Sequence, residues 1–213
     1  MLAGVDEVGR GPLAGPVVAC AIIMPPGRRA LPGVDDSKRL SPATRERLAV
    51  RIRARAVALA LGAASAREVD RLNVYHATVL AMRRALARLA VAPDHVLVDG
   101  TPLATLGVAH TAVVHGDARC YAIACASIVA KVTRDRLMCL LAHRHPMYGW
   151  DHNAGYGTAE HLAALAQHGS TRHHRTSFAG VVPPRPVDSP GTARPVAAAG
   201  QPTFAPSTSP RHP

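Results

Sequence analysis

Apolar residues along this chain gather first into two short runs, Leu2–Asp6 and Val17–Ile23, separated by a glycine- and proline-rich connection. Runs of this length bounded by turn residues predict two strands of a hairpin. Ser41 followed by Pro42 is a helix-start pair, and the segment after it places Leu48 and Ile52 on one face. Val57–Leu61 predicts a third strand. Ser65 with Glu68 has the capping-box spacing that opens another helix, in which Tyr75, Val79, Met82, Leu86 and Leu89 recur at helical intervals while Arg83, Arg84 and Arg88 stand off that stripe. Short strands follow at Val96–Val98 and Thr111–Val114. A long, largely apolar helix at Ala122–His143 is expected to be buried, and an amphipathic helix spans about Thr158–His168. Three early strands followed by alternating helices and strands predict an α/β fold around one sheet of mixed strand direction.

Composition adds limits. The 213 residues are 48% hydrophobic, enough for one sizeable core. The last 33 residues, from Val181, carry 9 of the 18 prolines with Ser, Thr, Ala and Gly and show no apolar period, so a disordered tail is expected there. The formal net charge of +11 favours a polyanionic partner, nucleic acid first and an acidic membrane surface second. At 3% aromatic residues, a broad base-stacking platform is not expected. Cys20, Cys120, Cys125 and Cys139 have no metal-binding spacing and read as free thiols of a reducing compartment. No apolar run reaches spanning length, so a cytoplasmic protein off the membrane, and a monomer, is expected.

Chemistry concentrates in carboxylates at strand ends. Asp6 and Glu7 close the first apolar run and lead into Gly9-Arg10-Gly11. Adjacent acids at the end of a buried strand repel and resist desolvation, a cost that a bound cation removes. Hard divalent ions take oxygen ligands, and the glycines let backbone come close to a ligand. Asp99 ends the run His95–Val98, and Asp117 follows Val113-Val114-His115-Gly116. Alone, either acid reads first as a turn residue. Together, the four acids would meet at one sheet edge and hold two divalent ions about 4 Å apart. Neighbouring strand residues point to opposite faces, so Glu7 joins the set only if the strand bends or ends there.

Ordered blocks along the chain resemble one family. Ala3-Gly4-Val5-Asp6-Glu7-Val8-Gly9-Arg10-Gly11-Pro12-Leu13-Ala14-Gly15 is similar to the opening motif of ribonuclease HII. Asp36-Ser37-Lys38-Arg39-Leu40-Ser41, Val98-Asp99-Gly100, Gly116-Asp117, Ala124–Asp135, Gly155-Tyr156-Gly157-Thr158 and His174-Arg175-Thr176-Ser177-Phe178 agree in order, over about residues 2 to 180. The resemblance implies a ribonuclease H-like mixed five-stranded sheet flanked by helices (residues 1–142), a small helical C-terminal appendage (143–180) and the tail beyond. It implies cleavage of RNA in RNA–DNA hybrids and 5′ of single ribonucleotides in duplex DNA, leaving 5′-phosphate and 3′-OH ends, with Mn2+ or Mg2+ as cofactor. The family's metal-site acids map onto Asp6, Glu7, Asp99 and Asp117, with Asp6 expected to bridge the ions, Glu7 and Asp99 to hold one and Asp117 the other. Its 2′-OH reader maps onto Gly9, Arg10 and Gly11, and its junction tyrosine onto Tyr156. Lys38, Ser127 and Lys131 are expected to bind substrate. By spacing alone, Ser127 and Lys131, with Arg134 or Asp135, contact a phosphate, buttress the site or form an exposed stripe.

Two departures stand out. Ala154 precedes the Gly-Tyr-Gly-Thr block where the family often has a basic residue, which removes one expected phosphate contact. Only five residues precede Asp6, so a start upstream of Met1 is expected. Seven histidines fall between His143 and His174 without finger-type cysteines; they read as solvated or phosphate-facing, not as zinc ligands. A dinucleotide-binding oxidoreductase is disfavoured because Ala14 holds the third glycine position and prolines follow. A non-catalytic hybrid-binding module is the remaining alternative, but it would not need four acids.

Overall fold

The computed structural model describes residues 1–181, so the sequence-predicted tail lies, beyond its first residue, outside the described residues. Strand β1 (Leu2–Val8) sits at the centre of a five-stranded sheet of order β3-β2-β1-β4-β5. It pairs antiparallel with β2 (Val17–Ile23), which pairs antiparallel with β3 (Ala58–Ala64). On its other side, β4 (His95–Asp99) and β5 (His110–Val113) run parallel to it. The mixed sheet expected from the apolar pattern is therefore present. The third strand lies further along than Val57–Leu61, because Val57 itself is exposed and the alternating Ala-Leu-Ala-Leu-Gly-Ala-Ala segment takes the pairing.

Helices cover both faces. Helix α2 (Ala66–Ala87) packs against one, with Val79, Met82 and Ala85 buried on Val5, Ala19, Ala21 and Val98. Helices α1 (Pro42–Arg55) and α4 (Tyr121–Arg144) cover the other, with Leu48, Ile52, Ile128 and Val129 on Cys20 and Ile22. Two glycines set how close the layers come. A Cβ on Gly4 would lie 2.4 Å from the carbonyl carbon of Ala122, and one on Gly62 would lie 2.1 Å from the Ala81 carbonyl oxygen.

The caps expected from sequence form. Ser41 Oγ accepts from Thr44 N–H at 3.3 Å, and Ser65 and Glu68 close a reciprocal capping box. Helix α2 is not continuous, however. Asn73 takes φ 67° and ψ 166°, and its Oδ1 accepts from His76 N–H at 3.1 Å, so the chain breaks and re-caps in mid-element. A short helix α3 (Gly116–Arg119) precedes α4.

Beyond α4 come a 3-10 turn (Pro146–Tyr148), α5 (Trp150–Asn153) and α6 (Ala159–His168). Their core joins Tyr148, Trp150 and Leu165 to Met138 and Ala142 of α4 and to Ala14 of the β1–β2 connection. An isolated bridge between Ala14 and His174 ties this region to the hairpin. No described helix is long and apolar enough to cross a membrane.

Candidate active site

The carboxyl ends of β1 and β4, where sheets of this kind present side chains to ligands, bring the sequence-predicted acids together. β1 does not end or bend at Glu7: Asp6 pairs with Cys20, Glu7 with Ala19 and Val8 with Val18. Asp6 and Glu7 therefore point to opposite faces. Asp6 faces α4 and is only 5% exposed; its Oδ1 accepts from Glu7 N–H at 2.7 Å. Glu7 turns towards α2 and shares a cleft of about 250 Å³ with Asp99, Tyr75 and Thr78. Asp99 stands at the strand end between them, its Oδ1 accepting the Gly116 N–H at 2.7 Å. That bond fixes the start of α3, which carries Asp117.

The acids feel one another strongly. Burial pushes the Asp6 carboxyl well above its ordinary range, and the charges of Glu7 and Asp99 add to the rise against a neighbouring Ser127 hydroxyl. Burial also raises Glu7, opposed by Arg10, whose Nη1 lies 3.5 Å from Glu7 Oε1. Asp117 is raised by burial and by Asp36 and Asp99, and Lys38 Nζ stands 3.9 Å from its Oδ2. Each of Glu7, Asp99 and Asp117 leans on its own protein donor, and among the described residues no three His, Cys, Asp or Glu side chains close into a cage. The donor set nevertheless fits a hard divalent cation: it is all carboxylate oxygen, and its most buried member has no cationic partner within ion-pair distance among the described residues.

Beside the acids, two buried arginines shape the loop from Gly9 to Pro16. Arg134 donates from Nε to Pro16 O at 3.0 Å, from Nη2 to Ala14 O at 3.0 Å and from Nη1 to Ala154 O at 2.9 Å. Arg175 donates from Nη2 to Gly9 O at 2.6 Å, from Nη1 to Arg10 O at 2.7 Å and from Nε to Gly15 O at 3.1 Å. Peptide planes are rigid and trans, so a carbonyl drawn inward turns the next N–H outward. The N–H groups of Arg10 and Gly11 consequently face away from Arg175, and neither donates to a protein atom among the described residues. Gly9 needs its lack of a side chain, since it takes φ +90° and a Cβ would fall 2.1 Å from Arg134 Nε. Gly11 lies beside Tyr156, whose ring is 3.7 Å from where a Gly11 Cβ would be.

Other expected residues divide. Lys38 projects into solvent, 83% exposed, beside Asp117. Ser127 is buried, near Asp6, and its Oγ lies 2.9 Å from Ser37 Oγ, which docks the Asp36–Lys38 loop on α4. Lys131 pairs with none of the four acids among the described residues: its Nζ donates to Asp135 at 2.8 Å, one turn along α4. His143, His152 and His168 are exposed as expected, but His161 and His174 differ and are buried against Trp150. Sequence reasoning placed Arg175 in a family block but gave it no role, and gave Arg134 only a shared role with Lys131. All four cysteines are free.

A mixed sheet of this order, covered by helices and ending in a carboxylate cluster, defines a ribonuclease H-like nuclease, a phosphodiester hydrolase. A family model described as Ribonuclease HII matches residues 3–181. The ribonuclease HII of Rhodospirillum rubrum is 57% identical over 184 residues, covering 84% of this chain and 84% of that protein. That of Granulibacter bethesdensis is 53% identical over 182 residues, covering 84% and 83%. The chain belongs to the ribonuclease HII family, and it is an endoribonuclease that acts on RNA–DNA hybrids. Among solved structures, ribonuclease H2 from Pyrococcus horikoshii OT3 superposes with a TM-score of 0.73 at 25% identity, covering 84% of this chain and 94% of that one. Bst-RNase HIII in complex with Mn2+ shares the fold, with a TM-score of 0.65 at 18% identity over 84% of this chain and 67% of that one.

Proposed function

We propose that this endoribonuclease also cuts duplex DNA on the 5′ side of a single embedded ribonucleotide, using Asp6, Glu7, Asp99 and Asp117 to hold two divalent ions, Mn2+ or Mg2+. The observation that carries the reading is the buried Asp6 carboxylate beside the like charges of Glu7 and Asp99, next to a loop with two N–H groups that donate to no protein atom among the described residues. When bound, such ions supply an activated water and stabilise the leaving oxygen, giving 5′-phosphate and 3′-OH ends. The chain's own part is to position. The outward N–H groups of Arg10 and Gly11 are suited to a ribose 2′-OH, the group that separates RNA from DNA. Tyr156, 47% exposed beside Gly11, offers a flat face to the adjoining deoxyribose, where a second hydroxyl would collide. Lys38 is placed to meet a phosphate near Asp117. Ser127 acts from beneath, holding the Ser37 loop against the Asp6 side of the strand. Lys131, held by Asp135, would reach the nucleic acid only along α4, away from the acids. Asp6 to Asp99 and the appendage carrying Tyr156 then work as two halves of one nucleic-acid surface, occupied by one chain without a membrane.

The test is a labelled DNA duplex with one internal ribonucleotide, incubated with Mn2+ or Mg2+ beside an all-DNA duplex and a chelator control. The expected result is a metal-dependent cut 5′ of the ribonucleotide with the all-DNA duplex intact. Cleavage of continuous hybrid with the single-ribonucleotide duplex untouched would overturn the junction reading. Binding without turnover in either metal would favour a hybrid-binding module.

A further inference from the structure

Behind Tyr156 lies a hydrogen-bond chain that neither phosphodiester chemistry nor core packing requires. Trp150 Nε1–H donates to His161 Nε2 at 3.1 Å. A ring nitrogen that accepts carries no proton, so neutral His161 must be protonated at Nδ1. That N–H donates to the backbone carbonyl of Tyr156 at 2.9 Å. His174 is set the opposite way. Its Nδ1 accepts from Thr171 N–H at 2.9 Å, leaving the proton on Nε2, which points at His161 Nε2 at 3.1 Å. Two donors thus converge on one His161 nitrogen and commit the other to Tyr156. Burial holds both imidazoles below their ordinary pKa, His174 down to about 4, in keeping with a chain built from neutral rings.

The Tyr156 ring has little else to fix it. It is half exposed, and its hydroxyl bonds no protein atom among the described residues. Its direction is therefore set by its backbone, whose N–H donates to Asn153 O at 2.9 Å and whose carbonyl accepts from Thr158 N–H at 2.9 Å and from His161. His161 is the side chain that grips Tyr156's own peptide, from within the first turn of α6.

We infer that His161, with its tautomer locked by Trp150 and His174, is a positioning residue that aims Tyr156 and so sets how strongly the protein prefers an RNA–DNA junction over continuous RNA. This rests on the reading of Tyr156 given above. The proton on Nδ1 is the working element, and an asparagine amide can place an N–H close to the same point while a leucine cannot.

The test compares wild type, His161→Asn, His161→Leu and Tyr156→Ala on two substrates with the same metal: duplex DNA with one ribonucleotide, and continuous RNA–DNA hybrid. The quantity read is the ratio of the two kcat/KM values. His161→Leu is expected to lose about five- to tenfold of the junction preference, the worth of one neutral hydrogen bond, in the same direction as Tyr156→Ala, while kcat on continuous hybrid holds. His161→Asn is expected to restore most of the preference, and it also guards against a leucine variant that folds poorly. A wild-type ratio that neither His161 variant changes, while Tyr156→Ala does, overturns this inference alone. A ratio unmoved by Tyr156→Ala overturns the reading of Tyr156 and the inference with it. Equal losses on both substrates in His161→Leu, unrelieved in His161→Asn, would make His161 a packing residue and also overturn it.

Discussion

Replacing Arg175 with methionine tests whether the substrate loop is held by a buried cation or merely passes near one. Arg175 is fully buried and makes four hydrogen bonds to three carbonyls: Gly9, Arg10 and Gly15, the last from both Nε and Nη2. Its guanidinium also stands 5.2 Å from the Phe178 ring. Hydrogen bonds from a charged donor contribute about 1.5 kcal/mol or more each, so four give roughly 6 kcal/mol. Methionine is relieved of a cost that arginine bears: burial holds the Arg175 pKa down to about 10, a penalty of about 3 kcal/mol at ~1.36 kcal/mol per unit. The balance is a loss of about 3 kcal/mol in Arg175→Met. Urea unfolding would show this as a lower midpoint with an unchanged slope. Arg175→Lys, which cannot fork across three carbonyls, should fall between the two. A change under about 1 kcal/mol in Arg175→Met would refute the clamp. It would mean that those carbonyls find other donors and that the outward N–H groups of Arg10 and Gly11 are not set by Arg175.

Asp6→Asn should abolish cleavage while stabilising the chelator-treated protein by about 1 kcal/mol or more, read by urea midpoints; destabilisation would contradict a carboxylate strained by burial and like charge. Mn2+ or Mg2+ should raise the Tm of wild type by linkage and leave that of Asp6→Asn nearly unmoved; equal shifts would place binding elsewhere. Gly9→Ala should cost about 3 kcal/mol or more in the same assay, because φ +90° and the 2.1 Å approach to Arg134 Nε both oppose a methyl group. His174 has a folded pKa of about 4 against 6.5 unfolded. The unfolded chain therefore takes up its proton first, and stability contributed above about pH 6.5 drains as pH falls towards 4, by up to about 3 kcal/mol. His161, His145 and His173 push His174 the same way, and Arg172 and Arg144 in turn lower His145 and His173. Urea midpoints at pH 7 and 4.5 for wild type and His174→Gln read this out, and parallel falls would refute it.

What could be read from the chain was local. Capping pairs such as Ser65 with Glu68, apolar runs and the acids that end them are short-range signals, and the element order follows from them. Asn73 breaks α2 with no glycine or proline to announce it, since asparagine tolerates left-handed backbone and caps the next turn with its own side chain. Glu7 was legible as an acid that an unbroken strand would turn away from Asp6, but whether the strand runs on past it was not, because pairing through Val8 is decided by β2. Arg134 and Arg175 were hidden among 23 arginines. All their carbonyl partners but that of Ala154 lie more than a hundred residues away, and a carbonyl leaves no mark in a sequence. His161 and His174 were masked likewise: neighbouring histidines look solvated until a tryptophan closes over them.

The Arg175 contacts with Gly9 and Arg10 close a span of 165 to 166 residues. The loop that they arrange is made well before its fastener. At about 5 to 20 residues per second on the ribosome, the interval is roughly 8 to 33 s. Throughout it the hairpin can pair while its connecting loop stays unset. On the proposed reading, a nascent chain therefore carries Asp6 and Glu7 early and completes the setting of its 2′-OH-reading loop late. If that reading holds, discrimination by this loop waits until Arg175 has been made and has docked on Gly9 and Arg10.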